Sequence, residues 1–413
     1  MESQTRRLPL AVHALALGIF CLGTSEFMLA GLLPQVADGL DVSLSDAGLL
    51  ISGFAIGMMI GAPLMTLATL RLPRRATLLG AAFVFGLAHI APFAFDGYAA
   101  QMAGRVVAAV ACATYWAVAA VIATKIVGPQ RKARAMAVRV GGLTHAKVVG
   151  VTARARIGGA FGWQAAFVAV AVATAGVIVL LRSLVPMMPD ERTALSMKDL
   201  VRSETHAFRD RRLWLSLATT ASFQAAVFCT FTYLAPLLTD VAGLPENGVP
   251  LVLLLFGVGT FVGVTISGRY ADRDMLAKVI ISLAAMVSAL LLLIALAGSQ
   301  VGVVVAVFVL GATAFSIAAA LNGRVFAFAG DAPTLAASVN VSAFNVGNAL
   351  GPWLGGVVLS AGLGLRAPVW MGAVLGMVAL GFAGTSWRVE RAQRTEDSTQ
   401  HTDETREDQH VSE

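Results

Sequence analysis

Long, nearly uncharged apolar stretches recur along the whole chain, separated by short polar breaks. A helix rising about 1.5 Å per residue needs roughly 20 such residues to cross the hydrocarbon core of a bilayer. The runs are continuous and do not alternate apolar with polar residues, so they fit helices and not barrel strands. In lipid every backbone N–H and C=O must be satisfied within its own segment, which a helix achieves. Expected spans lie near 9–33, 47–70, 76–95, 98–124, 136–158, 164–184, 213–237, 249–268, 276–297, 301–323, 335–360 and 368–387. The expected fold is an all-α membrane protein with about twelve transmembrane helices.

Composition agrees with lipid as the main solvent. Of the 413 residues 13% are charged, and the mean hydropathy is +0.77; soluble domains carry roughly 25% charged residues. The net charge of +6 comes from basic groups between apolar runs, where they serve as topology anchors and not as a nucleic-acid footprint. Cys21, Cys112 and Cys229 each sit inside an apolar run, with no CxxC pair or metal-ligand spacing. They read as small buried hydrophobes. Arg6 and Arg7 precede a first run that continues to about Leu33 and contains Glu26. That run reads as an uncleaved first helix and not a signal peptide.

Charge placement gives an orientation. One set of breaks holds Arg6 and Arg7; Arg71, Arg74 and Arg75; Lys125, Arg131, Lys132 and Arg134; and Arg269, Arg273 and Lys278. The alternate breaks hold Asp38, Asp41, Asp46, Asp96, Asp240 and Glu246. The positive-inside rule puts both termini in the cytoplasm, as an even number of spans also requires. The polar stretch 185–212 divides the spans into equal groups. The expected organisation is a first half (1–184), a cytoplasmic linker (185–212), a second half (213–387) and a disordered, solvated tail (388–413).

The halves repeat each other. Phe54-x-x-Gly57-x-x-x-Gly61 recurs as Phe256-x-x-Gly259-x-x-x-Gly263, an offset of 202 from position 54 to 256. The same offset pairs Pro34 with Pro236, Asp38 with Asp240, Arg71 with Arg273 and Gly162 with Gly364. Two parallel repeats with a substrate site between them describe a rocking transporter. The Gly-x-x-x-Gly pairs also read as close helix packing.

These residues resemble the major facilitator superfamily over nearly the whole chain, and within it the twelve-span drug:proton antiporters. The resemblance rests on the loop motif Gly263-x-x-x-x-Gly268-Arg269-x-x-Asp272-Arg273 and its degenerate first copy, Gly61 through Arg71, Arg74 and Arg75. It also rests on Arg105 in the fourth span and on Asn345-Val-Gly347-Asn348-Ala-Leu-Gly351-Pro352 in the eleventh. Gly23-Thr-Ser-Glu26-Phe27 and Gly61-Ala-Pro63 are similar to actinobacterial chloramphenicol exporters. The resemblance implies proton-coupled efflux of chloramphenicol or similar amphiphilic drugs by alternating access. It implies no cofactor or metal, with the drug, protons and the bilayer as partners and a monomer as the working unit. Exporters of sugars or nucleobases share the first-span pattern and are the alternative.

Glu26 stands out from the residues alone, as the one acidic group inside an expected span. A charge at that depth costs roughly 2.5–3.5 kcal/mol on insertion scales, and protonation removes most of it. It is the expected proton acceptor, with hydrogen bonding for packing as the bland alternative. Arg105 should face the interior, with a snorkelling arginine near one membrane face as the bland alternative; the resemblance implies that it couples the proton site to conformation. Gly263, Gly268, Asp272 and Arg273 are expected to form a cytoplasmic latch, with topology anchoring as their simpler role. Pocket candidates are Phe27, Tyr115, Trp116, Phe223, Gln224, Phe231, Tyr233, Asn322 and Asn345. His13 and His89 read as polar helix-packing residues.

The fifth expected span departs from the family, which usually carries a proline there. Here Thr152 takes its place, among His145, Lys147, Arg154 and Arg156. A water-facing basic stripe and a locally altered sequence are both open readings. An enzyme is not expected, since no HExxH, phosphate-binding GxxxxGK[ST] or catalytic Ser/His/Asp set is present. A sensor would need an output domain, and the short tail offers none.

Overall fold

A computed structural model describes residues 9–69, 72–95, 97–127, 161–187, 210–269, 274–328 and 333–411. Its main helices are α1 (Leu10–Gly31), α2 (Leu33–Leu40), α3 (Leu44–Ala68), α4 (Arg74–Ile90), α5 (Tyr98–Val127) and α6 (Trp163–Leu184) in the first half. The second half holds α7 (Arg211–Thr232), α8 (Val249–Arg269), α9 (Met275–Leu296), α10 (Gln300–Ser316), α11 (Ala318–Phe328), α12 (Pro333–Ser360) and α13 (Ala367–Val411). Among the described residues nine helices are long and apolar enough to cross a membrane. The expected fifth span and its basic window, 136–158, lie outside the described residues.

Breaks fall where the backbone demands them. The first span ends at Leu32, and Pro34, which has no N–H to give, opens α2 in its first turn. Asp41 closes α2 in the left-handed conformation at φ 51°; its short polar side chain makes that tolerable. One expected span, 301–323, is divided at Ile317 into α10 and α11.

The tail expected to be disordered beyond position 387 instead continues α13 to Val411. Residues 388–411 contain no Gly or Pro and are rich in Glu, Gln and Arg. Nothing in them breaks a helix once it is started.

The repeat read from sequence is physical. In the first half a Cβ at Gly57 would lie 2.9 Å from the Val106 carbonyl oxygen, and one at Gly61 3.0 Å from the Val110 Cα. In the second, a Cβ at Gly259 would press on the Phe308 carbonyl oxygen, and one at Gly263 on the Ala312 carbonyl, both more closely still. Positions 106 and 110 stand 202 residues before 308 and 312, the offset that also separates the glycines. Both copies therefore set a glycine face against the second helix further along the chain at the same register. Gly162 and Gly364, also 202 apart, both take positive φ, at 84° and 78°. No hydrophobic force drives helices together in lipid, so this close backbone approach supplies dispersion contacts instead.

The halves meet along α3 and α12. Ser45 Oγ donates to the Gly356 carbonyl at 3.0 Å, Ser52 Oγ to the Ala349 carbonyl at 2.7 Å, and Ser342 Oγ to the Met59 carbonyl at 3.4 Å. Each step is seven residues on both helices, the spacing of an antiparallel seam. Ser360 extends it by donating to Ser45 Oγ at 3.0 Å.

Candidate functional site

Two helix faces of α12 build the site. Gly347 and Gly351 let α12 lie directly on α7: a Cβ there would come within 2.5 Å of the Ala221 oxygen or 2.6 Å of the Ala225 oxygen. Asn348, one residue from Gly347, crosses instead to α1. Its Nδ2 donates to Glu26 Oε1 at 2.8 Å, and its Oδ1 accepts from Gln224 Nε2 at 2.7 Å. All three side chains are buried. A carboxylate only accepts, so Asn348 must present its amide nitrogen to Glu26 and its oxygen to Gln224. The hydrogen bonds therefore run one way, from Gln224 on α7 through Asn348 to Glu26 in the opposite half. Gln224 Oε1 is left buried without an acceptor's partner among the described residues. Asn345 is buried nearby, with Nδ2 donating to the Val341 carbonyl at 2.9 Å.

Arg105, 2% exposed on α5, approaches the same stretch of α1. Its Nη1 donates to the Ser25 carbonyl at 3.2 Å and to Ser25 Oγ at 2.9 Å, and its Nε to the Leu50 carbonyl at 3.4 Å. The guanidinium lies over the Phe54 ring, 4.3 Å from its centroid. It is close enough to Glu26 for a direct electrostatic interaction. Its Nη2 has no hydrogen-bond acceptor among the described residues. The arrangement places a carboxylate and a guanidinium in the interior, where only polar neighbours and charge pairing make them tolerable.

Aromatic candidates separate into two groups. Phe223 packs edge-on against Phe315 and Phe344, and Phe231 lies 4.9 Å from Phe256. They form an aromatic wall in the second half beside Gln224. Tyr115 is not on that wall. It is fully buried against Gly18 of α1, and its hydroxyl donates to the Leu15 carbonyl at 3.3 Å. The expected pocket residue thus fills the space that a glycine leaves between two helices. Tyr233 likewise packs between halves, beside Gly48, with its hydroxyl donating to the Pro352 carbonyl at 2.8 Å. Trp116 is half-buried against the core. Asn322 accepts from Asn340 Nδ2 at 2.6 Å, joining α11 to α12. The Phe27 side chain lies outside the described residues.

Of the expected latch, Gly61 and Gly263 are the packing glycines described above. Arg75 reaches the carbonyl of Arg182 at the end of α6, where a cation offsets the negative end of the helix. Arg74 is half-buried. Arg71, Asp272 and Arg273 lie outside the described residues, as do the surroundings of Gly268 and Arg269.

Sequence reading passed over Asn348 and Ser25 as site residues, although both adjoin groups it singled out. A neutral amide or hydroxyl in a helix rich in small residues carries no cost that would flag it. Its partner does.

The comparison with protein families decides the identity. The model of the Major Facilitator Superfamily matches residues 15–340. The chain belongs to the major facilitator superfamily. A chloramphenicol resistance protein of Streptomyces lividans is 38% identical over 373 residues, 90% of this chain and 95% of that protein. The inner membrane transport protein YdhP of Escherichia coli K12 is 34% identical over 368 residues, 89% of this chain and 93% of the relative. A probable sugar efflux transporter of Mannheimia succiniciproducens is 28% identical over 371 residues, 89% of this chain and 91% of the relative. The fold is that of a bacterial homologue of the human lysosomal transporter Spinster, with TM-score 0.74, 17% identity, and coverage of 92% and 96% of the two chains. This major facilitator protein is a multi-pass membrane transporter and not an enzyme.

Proposed function

We infer that this transporter exports chloramphenicol or similar amphiphilic drugs across the cytoplasmic membrane in exchange for protons. One observation carries the reading: Glu26 Oε1 holds Asn348 Nδ2 at 2.8 Å across the two halves. A hydrogen bond to an ionised acceptor is roughly twice as strong as a neutral one. Protonating Glu26 therefore weakens the clasp between halves, and losing the proton restores it. Arg105 interacts electrostatically with the carboxyl from the same buried stretch, so the proton enters and leaves beside a guanidinium held in place by Ser25 and Leu50. The aromatic wall of Phe223, Phe231 and Phe256 is buried in this structure; when the halves part it presents flat apolar surface to a ring, and Gln224 Oε1 an acceptor for a hydroxyl. The Streptomyces relative supports the phenicol class. By charge placement the Ser45 end of the α3–α12 seam lies outside and both termini lie in the cytoplasm, with one chain as the working unit.

Labelled chloramphenicol accumulation in expressing cells tests this, with and without a protonophore and with Glu26→Gln. The expected result is low accumulation that rises with the protonophore and in the variant. Accumulation unchanged by expression, with the protein present in the membrane, overturns the phenicol assignment. The sugar efflux relative supports a second reading, which a sugar panel in the same cells would then favour.

A further inference from the structure

His89 on α4 is 1% exposed and wholly surrounded by the first half. Its Nδ1 lies 2.7 Å from the Phe85 carbonyl oxygen, and its Nε2 lies 2.6 Å from Ser25 Oγ. Phe85 and Phe167 flank the ring, with centroids at 4.3 and 5.8 Å. A carbonyl oxygen only accepts, so Nδ1 must carry a hydrogen. In the neutral ring Nε2 is then the bare nitrogen, and it takes the single hydrogen of Ser25. That fixes Ser25 Oγ as an acceptor, and Arg105 Nη1 donates to it at 2.9 Å. The hydrogens run in one direction, from Arg105 through Ser25 and His89 to the Phe85 carbonyl.

We propose that His89 is a positioning residue of the coupling site, acting as a neutral Nδ1–H imidazole that orients Ser25 and thereby seats Arg105. The inference rests on the proton-coupled reading above and adds a residue to it. Protonated His89 would donate from both nitrogens. Ser25 would then have to accept from His89 as well as from Arg105, and its own hydrogen would lose its acceptor. The seat of Arg105 therefore depends on the charge of the imidazole. The other ionisable groups facing it are few. α1 brings Glu26, one residue from Ser25, and Cys21; α5 brings Arg105 and Cys112; α6 carries no charged side chain before Arg182, and on α4 itself Arg74 and Arg75 stand at the far end.

Two measurements test the proposal. The first is nitrogen NMR on purified protein labelled in its 6 histidines, with the His89 signal assigned by its loss in His89→Gln. The Nδ1–H tautomer is expected at neutral pH, and an Nε2–H tautomer overturns the proposal whatever the protein transports. The second is drug export in proteoliposomes at a fixed pH difference. His89→Leu and Ser25→Ala should each lower export about ten-fold, the effect of one buried hydrogen-bond partner lost, and the double variant no further. Glutamine can accept the Ser25 hydrogen through its side-chain oxygen, so His89→Gln should rescue export to near the wild-type rate. Additive losses, or a glutamine variant as impaired as His89→Leu, would leave His89 a packing residue. Absence of export by the wild type would sink the drug reading alone, because the tautomer is read without substrate or gradient.

Discussion

Asn348 donates to Glu26 across 322 positions of sequence at 2.8 Å, and so joins the two halves at one buried point. The contact couples an ionisable group in one half to a neutral amide in the other. Asn348→Ala should therefore lower drug export about ten-fold, near the ~1.4 kcal/mol of a charge-assisted hydrogen bond. Glu26→Gln should go further, abolishing the response to a proton gradient while keeping drug binding. Equilibrium binding measured beside gradient-driven uptake separates the two effects. Equal loss of binding in both variants would mean that the pair serves only to hold the fold.

The glycine faces should be equivalent in the two halves. Gly57→Ala and Gly259→Ala each push a methyl group into a backbone within 3 Å, and helices fixed at that distance have to separate. Each should cost on the order of 1–3 kcal/mol of stability, read as a lower unfolding temperature in detergent. Gly80→Ala on α4 meets nothing within 4 Å. It should be neutral or stabilise by up to about 1 kcal/mol, since alanine is the better helix former.

The serine seam offers a lock. Ser45 and Ser360 hold their hydroxyl oxygens 3.0 Å apart in opposite halves. A Ser45→Cys, Ser360→Cys pair should oxidise to a disulfide and stop transport, with recovery on adding a reductant. The native Cys21, Cys112 and Cys229 are buried and should not compete. Full activity of the oxidised, cross-linked protein would show that α3 and α12 never part at this end.

At the start of α7, Asp210 accepts from the Arg212 backbone N–H at 2.8 Å and from its guanidinium at 2.8 Å. Partial burial pulls the carboxyl upward, but these hydrogen bonds and the Arg212 charge hold it below the ordinary carboxylate value. A depressed value means that the stabilisation is present above the unfolded pKa near ~3.9 and is lost as pH falls through the folded one. Asp210→Ala should cost about 1 kcal/mol at neutral pH, mostly as a lost helix cap. The difference from wild type, followed by thermal unfolding, should shrink in strong acid.

Much of this was legible in the sequence because lipid makes errors expensive. Apolar runs had to be spans, Glu26 and Arg105 had to face inward, and the 202-residue offset reappears as matched glycine contacts and matched positive-φ glycines. Residues whose role depends on which way a helix is turned were not legible. Tyr115 and Phe223 are both aromatic and both fully buried. One fills the gap at Gly18 and the other joins the aromatic wall, and no composition rule separates them. Asn348 escaped for the opposite reason, since a neutral amide costs little until its partner is known. The helical continuation of α13 escaped because charge suggested solvent, whereas no Gly or Pro interrupts it and Glu390 in its first turn pairs with Arg324 at 2.6 Å.

The seam between α3 and α12 has a consequence for genetics. At positions 349 and 356 the acceptors are main-chain carbonyls, which every amino acid carries. Side-chain substitution can crowd that face but cannot delete its hydrogen-bonding groups. A screen for variants that fail to shut should therefore recover changes at Ser45 and Ser52 and recover polar-group losses on α12 mainly at Ser342 and Ser360. Each bond of the seam would be found from its serine donor, while its main-chain acceptor would leave no trace in such a search.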